Sequence, residues 1–243
     1  RNIIDSIERL MDNDTGSIGI GSPGPLDYRT GIIGKTPNLP LQGVNLKSLI
    51  KSRFRKKVCI ENDANCFVLA EAILGAGKKN SFVAGLTIGT GLGSGLVIDK
   101  KIYHGRCSAA EIGHTTINFN GPKSKCGNNG CLESYVSARG ILSRTSLKVD
   151  DTKELFDMAS KGNKKALAAW EKTGFYLGIG ITNIINTLDP EIIVIGGKIA
   201  GAWPYFNRKL KETVKERALF KCKIVKSSLK DGGILGAALL RDC

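Results

Sequence analysis

The chain has 243 residues, 42% of them hydrophobic, enough to bury the core of one large domain or of two lobes, which excludes a disordered segment. Its apolar-leaning runs, 176–188 and 192–195, are too short or too interrupted by polar residues to cross a membrane, and no signal-peptide pattern opens the sequence. The formal charge of +14 is spread along the chain, and the seven cysteines follow no regular framework, which fits a reducing cytoplasm. The one dense basic run (Lys47, Lys51, Arg53, Arg55, Lys56, Lys57) flanks a short helix and reads as a solvated face rather than a nucleic-acid site.

The sequence opens on Arg1 and a helical pattern, NIIDSIERLM, so natural sequence is expected upstream. Ser17 to Ser22 alternates as a short strand, and Pro23-Gly24-Pro25 ends it because proline removes a donor and fixes φ. A turn-rich loop follows through Asp27, Gly31 and Gly34 to Pro37-Asn38-Leu39-Pro40, and loops of that length in a compact domain are commonly functional. The pattern predicts a helix over 46–54, a strand over 57–60 and a helix over 63–74 with Phe67, Ala70 and Ile73 or Leu74 facing inward. The junction Glu61-Asn62-Asp63-Ala64-Asn65 lies where that strand hands over to the helix. Asp63 has two readings there: helix N-cap, or a reactive carboxylate at a strand end facing a ligand crevice.

Residues 84–99, AGLTIGTGLGSGLVID, lace five glycines with Thr87, Thr90 and Ser94 between two apolar strands. Glycines at that density admit positive φ angles and close backbone approach, so the stretch reads as a hairpin turn built for phosphate, with an ordinary Gly-rich hairpin as the alternative. It is neither a P-loop nor a dinucleotide fingerprint, since no Lys-Ser or Lys-Thr follows and the chain returns to a strand. A short strand over 100–103 precedes Ala109-Ala110-Glu111-Ile112-Gly113-His114, in a chain with only two histidines. Cys126 and Cys131 then bracket a Gly-rich knuckle, CGNNGC, at a spacing that folds two thiolates around one zinc. A closed site wants four donors, and Cys107 would supply the fourth only if the fold brought it round; Ser124 is a poor ligand. A helix is expected from Cys131 to about Thr145 with Glu133 in its first turn, then one to Ser160 capped by Asp151 or Thr152. A long helix over 164–188 carries Gly174, Gly178 and Gly180, which permit close packing or approach to a ligand. A buried strand over 191–195 ends in Gly196-Gly197, and an amphipathic helix over 203–219, a strand over 222–226 and a helix over 234–240 complete an α/β alternation.

Taken together, these stretches resemble the ROK family (repressor, open reading frame, kinase) within the actin-like ATPase superfold. The matching segments are GIGSPGPLD at 19–27, Pro37-Asn38-Leu39, ENDAN at 61–65, GTGLGSG at 89–95, EIGH at 111–114, CGNNGCLE at 126–133 and DPEIIVIGG at 189–197, in the family's order and spacing. The resemblance implies a two-lobed, ribonuclease H-like α/β fold truncated at its N-terminus, with 1–65 and 231–243 in a small lobe and 66–230 in a large one. It implies ATP-dependent phosphorylation of a sugar, with glucose at its 6-hydroxyl favoured by Pro23-Gly24-Pro25 and by Glu111-x-x-His114. N-acetylmannosamine and N-acetylglucosamine kinases share most of the same ligands. Asp63 then matches the general base, and Gly24, Asn38, Asn62, Glu111, His114 and Glu133 the sugar ligands. Thr90, Gly91, Gly196 and Gly197 match the nucleotide side, with ATP and Mg2+. His114, Cys126 and Cys131 match zinc ligands, in a site weakened because Ser124 stands where the family usually has cysteine. The family's Asp-x-Gly-x-Thr phosphate hairpin is expected ahead of Arg1, and without it the chain should be a poor catalyst. A sugar-responsive repressor with a helix-turn-helix upstream is the rival reading, and a purely structural α/β domain a weaker one. The Asn62-Asp63 pair favours the kinase, because a sensor has no chemical need for a base. A cytoplasmic homodimer is expected, with no membrane or nucleic-acid partner.

Overall fold

A computed structural model describes residues 2–34 and 41–241. After α1 (Asn2–Leu10) come β1 (Ser17–Ser22) and an antiparallel ribbon of β2 (Leu26–Asp27) and β3 (Ile32–Ile33). α2 (Leu46–Phe54) begins at Asn45, whose side chain accepts from the Ser48 amide, and ends at Arg55 in the left-handed region. β4 (Lys57–Asn62) then lies parallel to β1, Ser17 opposite Lys57 and Ser22 opposite Asn62. Parallel neighbours need a crossover, which the ribbon and α2 provide. Ile18, Ile33, Leu46, Ile50, Val58 and Ile60 close a core between them. In the basic run, Arg53 pairs with Glu8 at 2.7 Å on an exposed surface.

α3 (Asp63–Ile73) leads to β5 (Phe82–Ile88), β6 (Leu92–Ile98) and β7 (Lys101–Ile102). α4 (Glu133–Val136), α5 (Ala138–Leu142), α6 (Thr152–Ser160) and α7 (Lys164–Leu188) follow, then β8 (Ile192–Gly196), α8 (Trp203–Arg217), β9 (Lys223–Lys226) and α9 (Gly232–Ala238). The larger sheet has the order β7-β6-β5-β8-β9, with β5 antiparallel to β6 and parallel to β8. Alternation along its strands assigns its two faces. Val83, Val97, Ile192 and Val194 pack against Phe67, Val68, Leu69 and Ala72 of α3. Leu86, Ile88, Ile193 and Ile195 pack with Leu177, Ile181 and Phe206 of α7 and α8. β8 is buried along its whole length, the unbroken apolar run expected of a parallel strand covered on both faces.

Three expectations change in the fold. α3 is buried from Ala64 through Ala72 rather than on one face, because α9 covers the side the sheet leaves open. The helix expected over 131–145 is two helices. Ser137 between them takes φ −68, ψ 161, which is extended backbone, and its hydroxyl caps α5 by accepting from the Gly140 amide. The glycines of α7 serve packing: a Cβ at Gly174 would lie 2.3 Å from Phe206 O, at Gly178 2.6 Å from Thr213 Cβ and at Gly180 2.3 Å from Leu132 Cδ2. Among the described residues no helix is long and apolar enough to cross a membrane.

Candidate functional site

The C-terminal end of β4 delivers Glu61, Asn62 and Asp63 to the start of α3. Asn62, not Asp63, is the N-cap: at φ −61, ψ 138 its Oδ1 accepts from the amides of Ala64 and Asn65 at 2.8 and 3.2 Å. The capping reading of Asp63 is therefore corrected, and its carboxylate is free of that structural task. Asp63 is solvent-exposed and its Oδ1 accepts from the adjacent Ala64 amide at 2.8 Å. Its pKa is nonetheless raised from the ordinary carboxylate value, because the walls around it desolvate the charge by more than the Ala64 amide stabilises it. Two recesses meet at this residue. One is an apolar groove of about 790 Å³ along the edge of β1, between α1 and α9. The other is a cleft of about 550 Å³ whose lining includes Thr87, Gly196, Gly197, Lys198, Lys226 and Asp231.

A third recess, of about 40 Å³, opens beside Asn62 and is lined by Gly24, Glu61, Asn65, Ser94, Cys107 and Glu111 among others. A Cβ on Gly24 would sit 3.1 Å from Asn62 Nδ2 and 4.0 Å from Glu111 Oε1, which places the Gly24 backbone against both polar groups. Glu111 is exposed and leads a 3-10 turn, Ile112–His114, which brings His114 Nε2 to 4.0 Å from Glu111 Oε2. Glu133, half-buried at the start of α4, is tied to the glycine hairpin: its Oε2 accepts from the Leu92 amide at 2.9 Å. Asn38 lies outside the described residues. Two residues that sequence reasoning left unassigned also belong here. Asn65 lines the recess with its Oδ1 buried and unpartnered, and His104 contacts Glu61 from the neighbouring loop. Only the count of two histidines hinted at His104.

The glycine hairpin forms as predicted, Ile88 opposite Leu92, but for a different reason. None of its five glycines has positive φ. Most permit close contact instead: Cβ atoms would lie 2.4 Å from Val68 Cγ2 at Gly85, 2.7 Å from Glu133 Oε2 at Gly91 and 2.6 Å from Asn65 Oδ1 at Gly95. Gly89 alone of the five faces open space. Gly196 and Gly197 line the larger cleft, with Thr87 as its hairpin contribution; Thr90 and Gly91 sit at the turn, with Gly91 against Glu133. The positive φ falls at Gly197, at +85°, packed on the Ile88 backbone.

His114, Cys126 and Cys131 form a compact donor group whose ligand atoms all lie within 4.8 Å of one another. The two sulfurs are 3.5 Å apart, and His114 Nδ1 is buried without a hydrogen-bond partner. An orphaned imidazole nitrogen beside two thiols is the donor chemistry that zinc takes, so the residues fit the metal. Hydrogen bonding from Ser124 and the Asn128 amide brings the Cys126 thiol down to about 7, whereas burial raises that of Cys131. Ser124 lies beside the group, its hydroxyl 3.4 Å from Cys126 Sγ. Cys107 does not join: its sulfur faces the Leu26 carbonyl at 4.0 Å and lines the small recess.

The parallel β1–β4 pair, the five-stranded sheet with helices on both faces and a carboxylate between two clefts define an actin-like ATPase fold. The chain belongs to the ROK family, whose pattern it matches over residues 1–242. It is 37% identical over 216 residues to a xylose repressor of Bacillus spizizenii, covering 87% of this chain and 56% of the repressor. It is 36% identical over 264 residues to a glucokinase of Thermotoga maritima, covering 98% of this chain and 83% of that enzyme. The solved ROK hexokinase of Thermus thermophilus superimposes with a TM-score of 0.81 at 32% identity, covering 92% of this chain and 78% of that one.

Proposed function

We propose that the whole protein is an ATP-dependent sugar kinase with Asp63 as general base, and that glucose is its substrate. The observation that carries this reading is Asp63 itself, a carboxylate without a capping role that lines the cleft of Gly196 and Gly197 and directly follows Asn62, which lines the recess with Glu111. In the proposed reaction Asn62 Nδ2, Glu111 and His114 orient the sugar hydroxyls, and Asp63 takes the proton of the attacking hydroxyl as it closes on the γ-phosphate. Lys198 and Lys226 supply positive charge to the phosphate side of the cleft, together with the backbone at Gly196-Gly197. The Asp231 carboxylate and the Thr87 hydroxyl offer oxygen donors of the kind Mg2+ takes, and the ion would neutralise phosphate charge. The apolar groove along β1 ends at Asp63 and offers a seat for the Asp-x-Gly-x-Thr segment that the resemblance implies.

The test is a coupled assay of the full-length protein with ATP and Mg2+ across glucose, N-acetylmannosamine, N-acetylglucosamine, fructose and xylose. Glucose is expected to give the highest kcat/KM. Another sugar ahead by more than about tenfold would replace glucose, and absence of turnover would end the kinase reading. The repressor reading is the second one, favoured by the 37% identity to a xylose repressor of which this chain spans 56%. It predicts sugar binding without phosphorylation.

Zinc, in this proposal, is held by His114, Cys126 and Cys131, and fixes His114 so that its other ring nitrogen faces the sugar. Ser124→Cys adds a third thiolate, and with His114 a fourth donor, next to Cys126 and is expected to raise zinc content measured on protein purified without added metal. A variant as metal-free as the parent would remove zinc from the account.

A further inference from the structure

We infer that His104 is a positioning residue of the sugar site, pinning its three walls together through Glu61. This rests on the reading of the small recess as the place where sugar binds. His104 Nε2 lies 2.6 Å from Glu61 Oε2, with side-chain exposures of 19% and 5%. The other carboxylate oxygen of Glu61 accepts from the Asn62 amide at 2.8 Å and from Asn65 Nδ2 at 3.0 Å. A buried carboxylate thus fixes the backbone of the residue that precedes Asp63, and His104 supplies one of its three donors. The imidazole also stacks on Tyr28, with ring centroids 3.7 Å apart and planes 10° from parallel.

These contacts join separate parts of the chain. Tyr28 follows the Gly24–Leu26 wall, Glu61 is the last residue but one of β4, and His104 begins the loop that carries Cys107, Ser108, Ala109 and Glu111 into the recess. The loop closes on its own base, where the Ala109 amide donates to the His104 carbonyl at 3.0 Å. Removing the imidazole leaves Glu61 buried and short of a donor, which favours its reorientation and with it a shift of the Asn62 amide.

Two substitutions separate the hydrogen bond from the stack. His104→Phe keeps an aromatic ring against Tyr28 and removes the donor to Glu61; His104→Gln restores an N–H donor without the ring. In calorimetry on the full-length protein, with glucose and N-acetylglucosamine as probes, His104→Phe is expected to weaken sugar binding by about tenfold or more. Binding of a non-hydrolysable ATP analogue should stay within about twofold, and His104→Gln should recover sugar affinity to within about threefold of wild type. A merely structural histidine would lower the melting temperature and weaken both ligands alike. That result, or a Phe variant with wild-type sugar affinity, overturns the assignment. Equilibrium binding needs no turnover, so a wild type that binds glucose without phosphorylating it defeats the kinase reading and leaves this test standing.

Discussion

Asp63→Asn is expected to lower kcat of the full-length protein by about 10^2- to 10^4-fold while the fold and the sugar dissociation constant barely change. Asparagine matches aspartate in size and retains an oxygen for the Ala64 amide, and the helix cap belongs to Asn62, which is untouched. What it cannot do is accept the hydroxyl proton. The pH dependence follows from the raised pKa. Since the base must be ionised, the acid limb of kcat/KM should fall at a higher pH than an ordinary aspartate would set. For stability the sign is reversed from that of a salt-bridged acid. The folded state holds the Asp63 proton more tightly than the unfolded chain, so the contribution is present below the unfolded pKa and lost as pH rises through the folded one. Asp63→Asn should therefore melt no lower than wild type at neutral pH, with the gap narrowing in acid. Turnover within a few-fold of wild type would show that another group takes the proton.

Gly197→Ala should cost about 3 kcal/mol or more of stability, through backbone strain and a steric clash together. Gly197 sits at φ 85, ψ 173, a region that essentially only glycine occupies. A Cβ there would lie 2.3 Å from Ile88 O and 2.6 Å from Ile88 N, backbone atoms of a central strand that cannot give way. At about 2–4 °C per kcal/mol for a domain of this size, the melting temperature should fall by roughly 6–12 °C. Because Ile88 immediately precedes the glycine turn, binding of an ATP analogue should weaken as well. Gly196→Ala is the control: its Cβ would meet the end of the Phe67 ring at 2.5 Å, and a ring can tilt where a backbone cannot. Equal losses in the two variants would contradict this account of Gly197.

The elements carrying strong local signals were legible in the sequence. The helix over 164–188, the helix over 46–54 and the hairpin on either side of Gly89-Thr90-Gly91 stand where periodicity and punctuation placed them, because those signals act between residues a few positions apart. The cysteine knuckle was legible for the same reason, its donors being close in the chain. Other features depended on neighbours distant in sequence. Nothing near Ser137 announced a break between two helices, and the burial of α3 on every side required α9, from the far end of the chain. The glycines of the hairpin could be counted but not interpreted, since their purpose lies in Val68, Glu133 and Asn65, which pack against them. Asp63 could be read as a helix cap or as a reactive carboxylate until the backbone angles and hydrogen bonds gave the cap to Asn62. His104 was invisible because its meaning comes from Glu61 and Tyr28, 43 residues from the first of these by chain and 2.6 Å away in space. The sequence by itself determined which residue types were available for phosphate, sugar and metal, since composition and short-range pattern are properties of the chain. Tertiary structure alone decided which of them meet, because a site is made of long-range contacts that no local period encodes.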